Sequence, residues 1–313
     1  MSLLKKLKNK LSQITTKRDA DTLKSLIAQS LVRDNKTSKF NSIQDTEFKV
    51  FSQWGEDGII QYLINKLPIE NKVFVEFGVE DYAEANTRFL LENDNWSGLV
   101  MDGSLENISK IKSSQIYWKY DLDAKDIFIT KDNIDSIIQD YIDENNFNKE
   151  IGLLSVDLDG NDYYVWDSIK CIDPVIVICE YNSIFGNKHS VTVPYDSEFV
   201  RTQKHYSNLY FGASLKAFCN LATTKGYEFI GVNKNSVNAF FVKKEYAQKY
   251  IEELITIPDD KIAISKFRES RDIDGTLTFL KGSQRIELIK EMPIVNLGDG
   301  NLVKIKTLYK LKV

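Results

Sequence analysis

Between Val73 and Asn182 the sequence alternates short apolar runs with stretches of helical period, and each run closes on an acid. "KVFVEFG" (72–78), "SGLVMDGS" (97–104), "QIYWKYDL" (115–122), "IGLLSVDLDG" (151–160) and "PVIVICEYN" (174–182) read as strands. "ANTRFLLEND" (85–94), "LENISKIK" (105–112) behind a capping Ser104, residues 131–147 and "NDYYVWDSIK" (161–170) read as the helices between them. Strands that are apolar along their whole length have no face left for water. With helices as connections, this predicts a parallel sheet covered on both sides.

The pattern then changes. Residues 183–211 have no clear period. "GASLKAFCNLATTKG" follows as a helix stopped by Gly226, then "YEFIGVN" and "NAFFVKK", whose short gap "KNSV" predicts antiparallel neighbours. Five parallel strands, a helix and a hairpin strand make the α/β layout of Rossmann-like class I methyltransferases. Upstream, "GEDGIIQYLINKL" puts Ile59, Ile60, Leu63, Ile64 and Leu67 at helical spacing. The expected division is an N-terminal helical extension with its linker (1–48), the Rossmann-like domain (49–249) with 183–211 as substrate loop or lid, and an α+β tail (250–313).

Charge is distributed unevenly. Residues 1–40 hold ten Lys/Arg and three Asp, a net of +7, so with −4 overall the other 273 residues carry −11. An acidic body disfavours nucleic acid, which asks for a basic face. Cys171, Cys179 and Cys219 show neither metal spacing nor a disulfide framework and read as reduced thiols of a cytoplasmic protein. No apolar run is long enough to span a bilayer, and the basic N-terminus lacks the pattern of a secretion signal.

Ligands of a doubly wound sheet lie outside the carboxyl ends of its strands. Those ends here carry Glu76, Asp102, Asp121, Asp157 with Asp159, and Glu180 with Asn182. The turn after the first strand has Gly78, but Glu80 and Asp81 stand where a pyrophosphate would need a second glycine and no like charge. NAD, FAD and ATP are therefore disfavoured. S-adenosylmethionine, a phosphate-free cation with ribose hydroxyls, fits better. Gly78 would let the backbone approach its methionine portion. Asp102, 24 residues after Gly78, is placed for the ribose, and Asp121 for the adenine edge. The alternative for Glu76 is a solvated strand-end acid or a cap.

"FSQWGEDGII", "VEFGVEDYAEANTRFL", "NWSGLVMDGS", "LLSVDLDGNDYYVW" and "EYNSIFG" resemble, in this order over roughly residues 50–245, the FkbM-like methyltransferases of bacterial polysaccharide gene clusters. The resemblance implies a class I fold, S-adenosylmethionine as cofactor held by Glu76, Gly78 and Asp102, and O-methylation of a sugar-containing acceptor. That acceptor is a capsule or O-antigen sugar, a phosphoryl-linked modification, or a nucleotide- or lipid-linked precursor. Glu80, in place of a glycine, keeps a second function open: a degenerate member that binds cofactor or partner as a scaffold.

Further candidates lie outside the turn. "SQWGED" precedes the sheet and can fold over the methionine portion, making Gln53 and Asp57 candidate contacts, with helix capping as their equal alternative. Both histidines of the chain, His189 and His205, fall in the 183–211 segment. A sugar hydroxyl needs a base, a metal or both. His189 is the first candidate base, His205 the second, and Asp157 a further catalytic candidate. Asp157, Asp159, Glu180 and Asn182, at adjacent strand ends ~5 Å apart, are an oxygen-only donor set suited to Mg²⁺ or Ca²⁺. Its layout is similar to the magnesium site of catechol and macrocin O-methyltransferases. The competing role is structural, with Asp159 and Asn161 capping the next helix and Asp157 bonding backbone amides. Residues 1–24, leucine-rich on one side and lysine-rich on the other, read equally as a peripheral contact with the inner membrane or a helix packed on a neighbouring subunit. The tail from residue 250 is a candidate surface for self-association.

Overall fold

The computed structural model describes residues 3–251, 265 and 268–311, with side chains described from Ala20 onward. In chain order the elements are α1 (Leu3–Thr37), α2 (Glu56–Lys66), β1 (Val73–Phe77), α3 (Arg88–Asp94), β2 (Ser97–Asp102), α4 (Leu105–Lys112), α5 (Gln115–Lys119) and β3 (Leu122–Asp126). There follow α6 (Ile134–Glu144), β4 (Leu153–Val156), α7 (Asp162–Ser168), β5 (Ile176–Glu180), β6 (Val191–Thr192), α8 (Arg201–Lys204), α9 (Leu215–Thr224), β7 (Tyr227–Val232) and β8 (Asn238–Lys243). The chain closes with α10 (Lys244–Tyr250), α11 (Ser283–Leu288), β9 (Pro293–Asn296), β10 (Asn301–Lys304) and α12 (Ile305–Tyr309).

Seven strands form one sheet in the order β3-β2-β1-β4-β5-β8-β7. β1 to β5 are parallel, β8 runs antiparallel between β5 and β7, and the reversal of strand order falls between β1 and β4. This is the sheet of the Rossmann-like class I methyltransferase fold, and the antiparallel hairpin strand expected from "NAFFVKK" sits inside it. Alternation along β1 explains the two covered faces. Val73, Val75 and Phe77 join a core with α6, α7 and α9, in which Ile138, Trp166 and Phe218 are buried. Phe74 faces the other core, with Ile59, Ile60 and Leu63 of α2 and Ile108 and Ile111 of α4.

The third strand is displaced from its expected place. Gln115–Lys119 is a short helix, and the strand is Leu122–Asp126. "QIYW" has the β-branched and aromatic content of a strand, but Ile116 and Tyr117 pack as a half-buried helical patch on the core. β3 is an edge strand paired only with β2, so Leu122 and Ala124 alone point inward and no apolar run marks it. The correction reverses the place of Asp121. It precedes β3, at the amino end of the strands, where it accepts a hydrogen bond from Ser97 Oγ at the start of β2 (2.5 Å).

Residues 38–48 are not a free linker. Ile43 is buried in the main core, and Gln44 Nε2 donates to Val232 O at 3.1 Å. The 183–211 segment and the chain's end share a second, three-stranded sheet, β10-β9-β6. Its core joins Val191, Phe199 and Phe211 to Ile289, Ile294 and Ile305. Tyr210 and Tyr309 hydroxyls tie the two segments, donating to Pro293 O (2.5 Å) and Phe185 O (2.6 Å). Among the described residues, no helix is long and apolar enough to cross a membrane.

Candidate functional site

Two connected hollows open at the carboxyl ends of β1, β2, β4 and β5. One, of about 210 Å³, is lined by Met101, Asp102, Ile127, Phe128, Ile129 and Phe199. The other, of about 300 Å³, is lined by Gln53, Trp54, Glu76, Glu180, Arg201 and Asn238 among others. Gly78, Glu80, Asp157 and Asp159 wall both. Together they make one crevice at the reversal of strand order, where this class of sheet holds its ligands.

Gly78 allows the crevice to exist. Its φ is +67°, and a Cβ there would stand 1.9 Å from Asp157 O. The turns after β1 and β4 touch at this point, and a side chain would force them apart. Glu80 is left-handed as well (φ +48°), and its backbone N–H donates to Asp102 Oδ2 at 2.9 Å. Asp102 Oδ1 accepts from Ser104 N (2.9 Å) and Asn107 Nδ2 (3.1 Å). Asp102 thus clamps the β1 turn to the first turn of α4 while standing on the crevice wall.

Glu76 has become a structural acid. Oε1 accepts from Asn86 N (2.8 Å), and Oε2 accepts from Thr87 N (3.0 Å) and Thr87 Oγ1 (2.5 Å). It holds the chain entering α3, and burial raises its pKa despite these donors. Asp57 is likewise a capping acid. Its Oδ2 accepts from Val50, Phe51 and Ser52 N–H groups and from Ser52 Oγ, at 2.7–2.9 Å. Burial pushes it up to about 6, and it is not among the residues lining the crevice. All four donors meet Oδ2, Oδ1 is buried without a hydrogen-bond partner among the described residues, and the side chain stands off the crevice wall, which corrects its expected contact. Gln53 of the same motif does reach the crevice wall. The neighbouring Glu56, an acid that suits the first turn of α2, also accepts from Asn233 and Asn238 side chains (2.6 and 2.8 Å) and pins "SQWGED" to the β7–β8 hairpin.

At the ends of β4 and β5, Asp157, Asp159 and Glu180 each bring one carboxylate oxygen within 4.8 Å of the others. Burial, then repulsion from neighbouring carboxylates (Asp159 and Asp162 on Asp157, Asp157 and Asp159 on Glu180), raises the pKa of Asp157 and Glu180 well above the usual carboxylate range. Glu180 Oε2 is buried with no hydrogen-bond partner among the described residues. An oxygen-only trio with an unpartnered acceptor fits a hard divalent cation. Asn182 does not join it. Its amide donates to Leu209 O and Phe211 O (both 3.0 Å), and its Oδ1 accepts from Ile184 N (3.0 Å), so the side chain is spent on folding the loop. The loop after β4 is held by Asp162, which accepts from Leu158 N and Gly160 N (2.6 and 2.9 Å) and is pushed up to about 6 by burial. Asn161 stands at the N-cap of α7 but makes no side-chain cap bond there, so the expected capping by Asp159 and Asn161 side chains is not seen. Asp159 faces the crevice in a left-handed conformation (φ +54°), paired with Arg201.

The 183–211 segment contributes Arg201 and Phe199 rather than its histidines. His189 packs edge-on against Tyr309, 5.0 Å between ring centroids, and His205 stacks on Tyr206 while its Nδ1 meets Ser207 Oγ at 2.7 Å. Neither lines the crevice, so neither is positioned as the base. Arg201 lies flat on Phe211 (3.8 Å to the ring centroid), donates through Nε to Asn208 O (2.9 Å) and pairs with Asp159. Asp121, at the opposite edge of the sheet, has no part in the crevice. Ile127, Phe128 and Ile129, just after β3, wall the hollow beside Asp102.

No family model and no curated protein matches this chain. Among solved structures it is similar to the CurJ carbon methyltransferase, with 9% identity and a TM-score of 0.37 over 64% of this chain. The match spans 56% of that protein, little over half its length. The plantazolicin methyltransferase BamL, solved with S-adenosylhomocysteine, matches at 11% identity and a TM-score of 0.35, covering 76% of this chain and 91% of that one. An S-adenosylmethionine-dependent methyltransferase from Clostridium acetobutylicum matches at 12% and 0.33, covering 59% and 88%. The class of fold rests on the strand order and register described above.

Proposed function

We propose that this chain is an S-adenosylmethionine-dependent O-methyltransferase whose acceptor is a bacterial surface glycan, a capsule or O-antigen sugar, or its activated precursor. The observation that carries the reading is the continuous crevice at the strand-order reversal, with a tight Gly78 turn, Asp102 on its wall and acids at its centre. Ile127, Phe128 and Ile129 offer an apolar slot for adenine, and Asp102 an acceptor for ribose hydroxyls. Glu80, Asp157 and Glu180 favour a sulfonium cation and repel a pyrophosphate. The glycan acceptor follows from the motif resemblance.

S-adenosylmethionine, held by the Gly78 turn and Asp102, would supply the methyl group to an acceptor oxygen, the carbon–sulfur bond pair staying on sulfur. The hydroxyl proton passes to the Asp157–Glu180 carboxyl pair, whose pKa values are raised by burial. A divalent cation held by Asp157, Asp159 and Glu180 would lower the acceptor hydroxyl's pKa. Calorimetric titration with S-adenosylmethionine and with NAD, then release of S-adenosylhomocysteine with a glycan extract, tests the reading. Binding without release would favour the scaffold alternative. That alternative draws on Glu80, a left-handed carboxylate in a glycine's place on the wall of both hollows.

A further inference from the structure

α1 is 35 residues long, about 52 Å at 1.5 Å per residue. Only one side of its described part is used: Ala28 and Val32 are buried against Val50, Phe51 and Phe89. Leu23, Leu26, Ile27 and Leu31 face away from that contact and are 60, 58, 63 and 37% exposed. Leu23, Ile27 and Leu31 follow one another at i, i+4, i+8, so they form a stripe along one side of the helix rather than scattered apolar residues. Lys24 borders the stripe with its side chain 54% exposed. The first forty residues carry a net of +7, against −11 on the remainder.

We infer that this outer face of α1 docks on an anionic lipid surface, with the leucine stripe at the headgroup–acyl boundary and the basic residues over the headgroups. Charge selects the occupant. A second copy meeting this face in a two-fold dimer would bring the same net-basic segment against it, like charge against like. A surface of anionic headgroups neutralises that charge and takes up the apolar stripe at once. The inference is independent of the chemistry proposed for the crevice.

The test is flotation of the full-length chain with vesicles of phosphatidylcholine alone and of phosphatidylcholine mixed with phosphatidylglycerol. The chain is expected to float with the mixed vesicles, stay unbound with the neutral ones, and come off the mixed ones in high salt. The double variant Leu23→Asp, Ile27→Asp should bind the mixed vesicles at least about tenfold more weakly. Its thermal midpoint should be unchanged, because those side chains are exposed. Sedimentation velocity runs alongside. No binding to mixed vesicles overturns the inference, as does equal binding by the variant. A dimer of the parent chain that the variant dissolves overturns it too, by giving the face to a second copy.

Discussion

At the scale of the residue, the site turns on what a carboxylate is already bonded to. Glu76 and Asp162 end or follow apolar runs as Asp157 and Glu180 do, and Asp57 precedes one, yet all three bond backbone amides. A sequence shows the acid and its position but not which N–H groups the turn will present, so caps and ligands look alike. The same holds for Asn182. Gly78 was legible because only glycine accepts both its φ and the 1.9 Å approach to Asp157 O. Gly78→Ala should therefore separate the β1 and β4 turns, weakening S-adenosylmethionine binding at least about tenfold and costing about 1–3 kcal/mol of stability. Calorimetry and thermal melts measure both. Glu80→Gly should not lower stability, because the backbone N–H that bonds Asp102 remains. It relieves a left-handed side chain, and its melting temperature should not fall below that of the parent.

At the scale of the element, β4 and β5 set the electrostatics by bringing Asp157 and Glu180 together in a buried corner. A carboxyl whose folded pKa is raised contributes stability that is fully present below its unfolded pKa, ~4, and is lost as pH rises through the folded value. Both members of the pair are raised by burial first, then by the negative charges around them. Glu180→Gln should therefore melt with the parent chain near pH 4 and above it at pH 8, while losing at least about 100-fold in kcat, the worth of a positioned base. Equal melting temperatures at pH 8 would contradict the buried pair. If the trio holds a divalent cation, EDTA will abolish methyl transfer and Mg²⁺ restore it; full activity in EDTA leaves the carboxyl pair to act alone. The buried strands were legible because both their faces are apolar. β3 was not, since an edge strand needs only alternate inward residues, and "QIYW" imitated one. Arg201 and Phe199 were hidden for a related reason: they sit in a loop without period, and only the fold reveals which loop side chains turn inward.

At the scale of the whole molecule, the chain's end closes over the 183–211 segment. β6, β9 and β10 are two to four residues long, and β6 meets β9 across about a hundred residues of chain. No local pattern announces pairing of that kind. Ile294 is fully buried at its centre, so Ile294→Ala should cost about 2–4 kcal/mol. Because the same core contains Phe199 and Phe211, on which the crevice wall and Arg201 rest, that variant should also raise the acceptor KM. The most direct measurement of the central claim is calorimetric titration of S-adenosylmethionine into the parent chain and Asp102→Ala, with NAD in parallel. Saturable binding of S-adenosylmethionine, weakened at least about tenfold (~1.4 kcal/mol) in Asp102→Ala, and no binding of NAD is the predicted result. Binding of NAD with none of S-adenosylmethionine, or equal affinity in a folded Asp102→Ala, would contradict the assignment of the crevice.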